Sequence, residues 1–468
     1  MMIDSIISIA FYISTVLTVL IWLLPSQYGQ ADASAQQAPK CKVQILVLGD
    51  IGRSPRMQYH ALSIARKGGQ VDIIGYNESE PHPDVSSHPN ISIVPLPPHP
   101  AVLQTSNRIL FLLYGPLKVL FQIGCLWVCL AYRTKPAKWL LVQNPPSIPS
   151  LAVASIVCFC RKTHLVIDWH NFGYSILALK LGPRHPLVRW SKWYEKTFCR
   201  YATAHLCVTR AMARVLKEDF ALQAPILPLH DRPADLFQPI PDEKDRTRFL
   251  TSLPETEPIR AALEGSGNAR VLVSSTSWTP DEDFSILLDA LCQYSEIATS
   301  MAQKPEDSLP HIMAIITGKG PQREQYLKRI AELENAGKLE HATVRTTWLS
   351  MQDYARLLAS ASLGVSLHTS SSGVDLPMKV VDMFGAGLPV VGCQFEAWPE
   401  LVHEGVNGRG FETATELADH LVDLFGHPDR LDTLRDGACI ESTRRWDSEW
   451  DPVAGKLFGL VDSEVKID

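Results

Sequence analysis

The chain has 468 residues, 46% hydrophobic and 20% charged, with a net charge of −6. That length exceeds what a single core organises and suits two or three domains. The composition excludes a disordered or fibrous chain, and the slightly acidic balance gives no general pull toward nucleic acid. Ten cysteines are scattered without a C-x-x-C pair or a His/Cys cluster. They read as reduced, mostly buried thiols of a cytosolic compartment, with neither a disulfide frame nor a zinc site.

From Ser5 to Leu24 runs SIISIAFYISTVLTVLIWLL, without a single charge. It is long enough to cross a hydrocarbon core of ~30 Å as a helix. A cleaved signal peptide is the competing reading, since ADASA follows at 31–35, but only Asp4 precedes the apolar run where a basic segment belongs. Lys40, Lys42, Arg53 and Arg56 lie on the far side, so the positive-inside rule turns the bulk of the chain toward the cytosol. Residues 1–24 are therefore expected as a transmembrane anchor and the Gln- and Ala-rich stretch 25–39 as a linker. On this reading the two glycosylation sequons, at Asn77 and Asn90, stay unmodified. A second apolar stretch, 109–132, is interrupted by Gly115, Pro116 and Lys118. It reads as a core helix, a segment resting on the membrane surface, or a second span.

After the linker, short apolar runs alternate with amphipathic stretches. VQILVLG (43–49), VDIIGY (71–76), ISIVPL (91–96), WLLVQ (139–143), HLVIDW (164–169) and AHLCVT (204–209) read as strands of a parallel sheet covered on both faces. The Pro-rich segment 225–258 breaks the alternation. A second set then follows: ARVLVSST (269–276), HIMAIITG (311–318), ATVRTTW (342–348), LGVSLHT (363–369) and PVVGC (389–393). The pattern predicts helices over 283–296, 321–335, 376–386, 413–425 and 428–445. The fold class is thus α/β: two doubly wound, Rossmann-like domains facing a cleft, at 40–235 and 236–445, with a tail at 446–468. In such sheets ligands bind beyond the C-terminal ends of the strands.

Those strand ends carry the chemistry. The first, GDIGRSPR, offers a Gly turn, Asp50, a Ser54-Pro55 helix start, and Arg53 and Arg56, which suit a phosphate. It lacks the G-x-G-x-x-G spacing of a dinucleotide site. VIDWHNFGYS places Asp168 and His170 at alternate positions, on one side of an extended segment, with Asn171 beside them. The pair suits deprotonation of a sugar hydroxyl, or a structural hydrogen-bond cluster. Ser275 and Thr276 end another strand, before Asp281, Glu282 and Asp283, which suit a helix's first turn. Lys319 sits between Gly318 and Gly320, an arrangement that lets backbone amides and a cation approach a phosphate. Finally, Ser370, Ser371, Ser372 and Gly373 precede a helix on which Lys379 and Asp382, three apart, share a face. Hydroxyls, amides and Lys379 suit a diphosphate, and Asp382 suits a ribose diol.

Together, HTSSSGVDLPMKVVDMFGAGLPV, SSTSWTPDEDFSILLDAL, HDRPADLF, IDWHNFGYS and GDIGRSPRMQYHA closely resemble the chitobiosyldiphosphodolichol β-mannosyltransferase family, of the GT-B fold. The resemblance covers the whole chain. It implies transfer of one mannose from GDP-mannose to GlcNAc2-diphosphodolichol in a β-1,4 linkage at the cytosolic face of the endoplasmic reticulum. It also implies a membrane setting, contact with other mannosyltransferases of the pathway, and GDP-mannose as substrate with no tightly bound cofactor or metal. Pro377, Lys379 and Asp382 match the donor-site spacing of the wider GT-B group. The first acid of that group has no clean counterpart, because Asp375 stands seven residues before Asp382 and not eight; HDRPADLF also carries Ala234 where relatives have a second Pro. Inversion at the sugar requires a base, for which Asp50, Asp168 and His170 are the candidates. Lys319, Gly318, Gly320, Ser370–Ser372, Gly373, Lys379, Asp382, Ser275 and Thr276 are expected at the donor, and Arg53, Arg56 and Asn171 at the acceptor. Two other readings stay open here: a non-catalytic subunit that binds lipid-linked sugar, and an enzyme of the same fold that uses another sugar nucleotide.

Overall fold

The computed structural model describes residues 2–22, 24–25, 41–100, 108–265, 268–279, 282–301 and 308–462. The expected linker therefore lies almost wholly outside the described residues, as do Pro280 and Asp281. The chain divides into two compact units, one of Met1–Cys207, Val215–Pro228 and Trp450–Asp468, the other of Val208–Arg214 and Leu229–Glu449.

In the first unit the strands are β1 (Lys42–Asp50), β2 (Gln70–Tyr76), β3 (Ile91–Pro95), β4 (Trp139–Asn144), β5 (His164–Trp169), β6 (Ala204–Cys207) and β7 (Ile226–Pro228). All pair in parallel, in the order β3-β2-β1-β4-β5-β6-β7. The second unit holds β8 (Ala269–Ser275), β9 (His311–Thr317), β10 (Ala342–Thr347), β11 (Leu363–Ser366), β12 (Val390–Cys393) and β13 (Gly408–Phe411), also parallel, ordered β10-β9-β8-β11-β12-β13. Each sheet winds outward in both directions from one pair, β1/β4 and β8/β11. At such a switch point the crossover helices depart to opposite faces and leave a crevice at the strand ends. The strands are apolar along their length because helices cover both faces, and Ile45, Val142, Ile167, Val273, Ile315 and Val365 are all fully buried.

Four expectations need correction. The segment 109–132 is not broken at Pro116: one helix, Arg108–Val128, runs through it and passes into a wider turn, Cys129–Arg133. Its far end, at Leu126, Cys129, Leu130 and Ala131, enters the core, while Leu117, Leu120 and Val128 are exposed. The stretch Tyr114–Arg133 is apolar enough to cross a membrane by length and composition; in the N-terminal helix, Met2–Trp22, the described apolar stretch is shorter, Ile6–Val19. The boundary between the units falls at 228/229, not 235/236, and Val208–Arg214 joins the second unit. The Pro-rich segment hides a strand, β7, and β13 was also unforeseen; both are very short. Last, 446–468 is not simply a tail. Trp450 is fully buried in the first unit, where its indole N–H donates to His60 Nδ1 at 2.9 Å, and Phe458 packs edge-on against Trp139.

Of the ten cysteines, six are buried, as the sequence suggests for reduced thiols. Replacing the buried indole, Trp450→Ala, is expected to lower stability by about 3–5 kcal/mol. A thermal unfolding midpoint unchanged from wild type would mean that the segment after Trp450 is the loose tail first expected.

Candidate active site

At the β8/β11 switch point of the second unit, the loop after β8 turns back on itself around Glu282. That carboxylate is buried; its Oε2 accepts from Thr276 Oγ1 at 2.6 Å and from the Ser277 amide at 2.8 Å, and its Oε1 pairs with Lys379 Nζ. Glu282 was expected to cap a helix. The helix instead begins at Ser285, whose amide bonds to Asp283 Oδ1 at 3.0 Å, so Asp283 and not Glu282 acts near that terminus. Glu282 was missed because its partner lies 97 residues away. It fixes Lys379, which stays about one-quarter exposed.

Lys379 and Asp382 lie on the helix Met378–Gly385, capped by Pro377. Val380, Val381, Met383 and Phe384 are buried, which forces the other two outward from the core. Asp382 is only partly exposed, and its carboxylate has no hydrogen-bonding or ionic partner among the described residues. Burial pushes it up to about 7. Tyr354, another residue that the sequence did not reveal, lies close enough to feel that charge, and its hydroxyl is 2.8 Å from Ser275 Oγ. Thr317 Oγ1 donates to the same Ser275 oxygen at 3.2 Å, so hydroxyls from the ends of β8 and β9 converge here.

Preceding this helix, Ser370, Ser371 and Ser372 are all half-buried, and Gly373 turns with φ +73°, with open space where a Cβ would stand. Ser370 Oγ accepts the Ser372 amide at 3.2 Å, which folds the loop locally. Gly318 and Gly320 serve loop packing in addition to any part in binding. A Cβ at either would lie 1.7 Å from a backbone oxygen of the β8 loop, Thr276 O or Ser277 O. They are glycines so that two strand-end loops can touch, whatever they bind. Lys319, between them, is exposed and holds its ammonium 4.2 Å from the centre of the Trp348 ring.

In the first unit the carboxylate of Asp168, at the end of β5, is fully buried. Arg56 grips it with two bonds, at 2.8 and 2.9 Å; His60 Nε2 is 3.3 Å away and His170 Nε2 3.0 Å. Burial alone would raise Asp168, but Arg56 and the two imidazoles hold it well below the usual carboxylate range. Arg56, expected at the acceptor, is thus a buried partner of Asp168. His60 is held neutral by burial, and the Trp450 N–H on its Nδ1 requires the same tautomer, with the proton on Nε2 facing Asp168. His170 keeps about one-quarter of its side chain exposed.

Asn171, also expected at the acceptor, stands just before the helix Gly173–Leu181 and turns inward to its first turn: its Oδ1 accepts from the Phe172 amide at 2.7 Å and from Ser175 Oγ at 3.2 Å. At the end of β1, Asp50 Oδ1 accepts the amides of Glu78 and Ser79, both at 3.1 Å, and so pins a neighbouring turn. Arg53 is largely exposed, 3.4 Å from Asp50. Asp50 and Arg53 thus flank the β1/β4 switch point. Among the described residues no three His, Cys, Asp or Glu side chains gather as a metal site.

Residues 271–427 match the family model "Glycosyl transferases group 1". The chain is 52% identical over 444 residues to the chitobiosyldiphosphodolichol beta-mannosyltransferase of Arthroderma benhamiae, covering 94% of this chain and 96% of the relative. It is 40% identical to an Arabidopsis thaliana relative named UDP-glycosyltransferase TURAN, covering 90% and 98%. Among solved structures, Anabaena HepE in complex with UDP and glucose superposes with a TM-score of 0.57 at 18% identity, covering 89% of this chain and 99% of that one. At that identity the likeness speaks for the GT-B fold alone.

The raised Asp382 carboxyl yields a signed prediction. Unfolded, it ionises near pH 4; folded, it keeps its proton to about 7, so stability falls as pH rises between those values. Asp382→Asn removes that loss and should gain on wild type by on the order of 1.4 kcal/mol per pH unit across the window. Thermal unfolding from pH 4 to 8 checks this, and parallel curves for the two proteins would contradict it.

Proposed function

The chain belongs to the chitobiosyldiphosphodolichol β-mannosyltransferase family, and from that membership we propose how its own residues conduct the transfer. It is a glycosyltransferase that adds the first mannose to GlcNAc2-diphosphodolichol in the precursor of N-linked glycans. The donor we assign is GDP-mannose. Its α-linked sugar becomes β-linked, so the acceptor 4-hydroxyl displaces GDP in one inverting step, and the hydroxyl proton must go to a base.

The observation that carries the donor assignment is Asp382, a carboxylate without a partner among the described residues, three residues from Lys379 at the β8/β11 switch point. A ribose offers two adjacent hydroxyl donors, which would satisfy that carboxylate and favour its ionised form. Lys379, already fixed by Glu282, has further N–H donors for the diphosphate, and Ser370–Ser372 and Gly373 supply hydroxyls and amides beside it. Lys319, stacked on Trp348, adds a second cation at the neighbouring strand end. Because these groups are positioned before the reaction, they stabilise the charge that develops on departing GDP without reorganisation.

For the base we choose His170 over Asp168. Asp168 is sealed from solvent, and its oxygens are engaged by Arg56, His60 and His170. Its depressed pKa makes it a weak proton acceptor. With Asp168 ionised, His170 donates from Nε2 and presents Nδ1 as the acceptor, so Asp168 orients the imidazole for proton transfer. Asp50 is the alternative, on the other side of the β1/β4 crevice, with Arg53 as the exposed cation for an acceptor phosphate.

We place the protein in the endoplasmic reticulum membrane, with residues 1–24 as a single-pass anchor, both units cytosolic, and other mannosyltransferases of the pathway as neighbours. The apolar helix Arg108–Val128 supports membrane association. Exposed Asn77 lies in a sequon, so a luminal orientation would leave a glycan there. A second reading, a different sugar nucleotide, draws on the relative named as a UDP-glycosyltransferase.

Radiolabelled transfer to a short-tailed GlcNAc2-diphosphate lipid tests the assignment: label should move from GDP-mannose, and transfer from a UDP-sugar alone would favour the second reading. Asp382→Ala should raise the GDP-mannose KM by about 10–100-fold, as lost hydrogen bonds to a charged group imply. His170→Ala should lower kcat by about 10²–10⁴ with donor KM nearly unchanged. Wild-type kcat in His170→Ala would transfer the role to Asp50. Glycosidase treatment of the native protein should leave its mobility unchanged, and a shift traced to Asn77 would reverse the topology.

A further inference from the structure

Between Ser150 and Tyr201 the chain has only two acidic residues, Asp168 and Glu195, and both are buried. The charges this segment shows to solvent are therefore all positive. Lys162, Lys180, Arg184, Arg189 and Arg200 are exposed, and none forms an ion pair with a described residue. Lys192 and Lys196, in contrast, are neutralised on Asp219. The same segment exposes large apolar side chains: Ile156, Phe159, Leu179, Leu187, Trp190 and Trp193, with Phe159 87% and Trp193 57% accessible. Scattered apolar residues need no explanation, but nonpolar and cationic groups concentrated on one piece of a domain do.

The three helices that carry them form one packed body within the first unit. Tyr194 Oη donates to Pro149 O at 3.1 Å and accepts from the Ala152 amide at 3.1 Å, which ties Pro186–Phe198 to the start of Ser150–Arg161. Buried Glu195 accepts the Gly173 amide at 2.9 Å, which ties it to the start of Gly173–Leu181. On Pro186–Phe198 the buried residues Val188, Ser191 and Glu195 follow helical spacing. Trp190 and Trp193, also three apart, project from the opposite side, with Arg189 alongside. A solvent face of tryptophans and arginine is costly in water. It suits the boundary between lipid headgroups and acyl chains, where indoles sit at headgroup depth and cations meet phosphate. The face also adjoins apolar helix Arg108–Val128, which packs against Ser150–Arg161.

We propose that this three-helix face is a second membrane-binding surface, separate from residues 1–24, which lies on anionic lipid with Trp190 and Trp193 at headgroup depth and the five free cations on lipid phosphates. Its use rests on the reading of a lipid-borne acceptor. Gly173–Leu181 starts three residues after His170, so a docked face holds the β5 strand end near the leaflet from which a lipid diphosphate emerges.

The test uses the full chain in nanodiscs of phosphatidylcholine and phosphatidylserine with brominated acyl chains, which quench nearby indoles. The wild type should lose a share of emission corresponding to two of its eleven tryptophans beyond the loss in Trp190→Ala/Trp193→Ala. Equal absolute quenching in both proteins would overturn the proposal, because the two rings then face water or another protein. Arg189→Glu/Arg200→Glu should reduce the quenching to the level seen in phosphatidylcholine alone; indifference to lipid charge would also overturn it. Both variants should retain wild-type kcat on a soluble short-tailed acceptor. The fluorescence result stands whether or not GDP-mannose proves to be the donor.

Discussion

The ion pair between Glu282 and Lys379 is the constraint on which the proposed donor site depends. A carboxylate as buried as Glu282 is tolerated only with a cation and hydrogen bonds at hand, and removing one partner alone costs about 3–5 kcal/mol. Glu282 spends one oxygen on the β8 loop, through Thr276 and Ser277, and the other on Lys379. The pair thereby clamps the end of β8 to the helix after β11 across the switch point of the sheet. Lys379 is held at the mouth of the crevice, and Asp382, one turn on, has no partner among the described residues.

A parallel logic organises the first unit around Asp168. Here too a buried carboxylate gathers its partners from distant parts of the chain: Arg56 and His60 from the helix after β1, and His170 just beyond its own strand. Trp450, from the far end of the sequence, fixes His60. The imidazole of His170 is the only one of these groups that keeps substantial access to solvent, which is why the proposed base is placed there. The two units thus solve one problem twice: an interior acid orients a more exposed imidazole or ammonium at a strand end.

Much of the fold was legible because parallel strands buried on both faces read as continuous apolar runs. Eleven of the thirteen strands among the described residues lie where the sequence places them, within a residue or a few. The two unforeseen strands, Ile226–Pro228 and Gly408–Phe411, are three and four residues long and rich in Pro or Gly, so neither carries a period. Asp382 was readable because apolar neighbours on a short helix left it one way to face. Arg56 was not: nothing local distinguishes a surface arginine from one that turns inward to an acid 112 residues later. The pairing of Glu282 with Lys379, and the places of Tyr354 and Trp450, were hidden for the same reason, and Gly318 and Gly320 show that a glycine pair can serve loop packing as well as phosphate approach.

The most direct test of the account is calorimetric titration of the full chain with GDP, compared with the double variant Glu282→Gln/Lys379→Met. Replacing both partners leaves no unpaired buried charge, so the fold should survive while the clamp is lost. The account predicts that wild type binds GDP and that the variant binds it about 10-fold more weakly or worse. Equal affinities, or no uptake of GDP by the wild type, would contradict it.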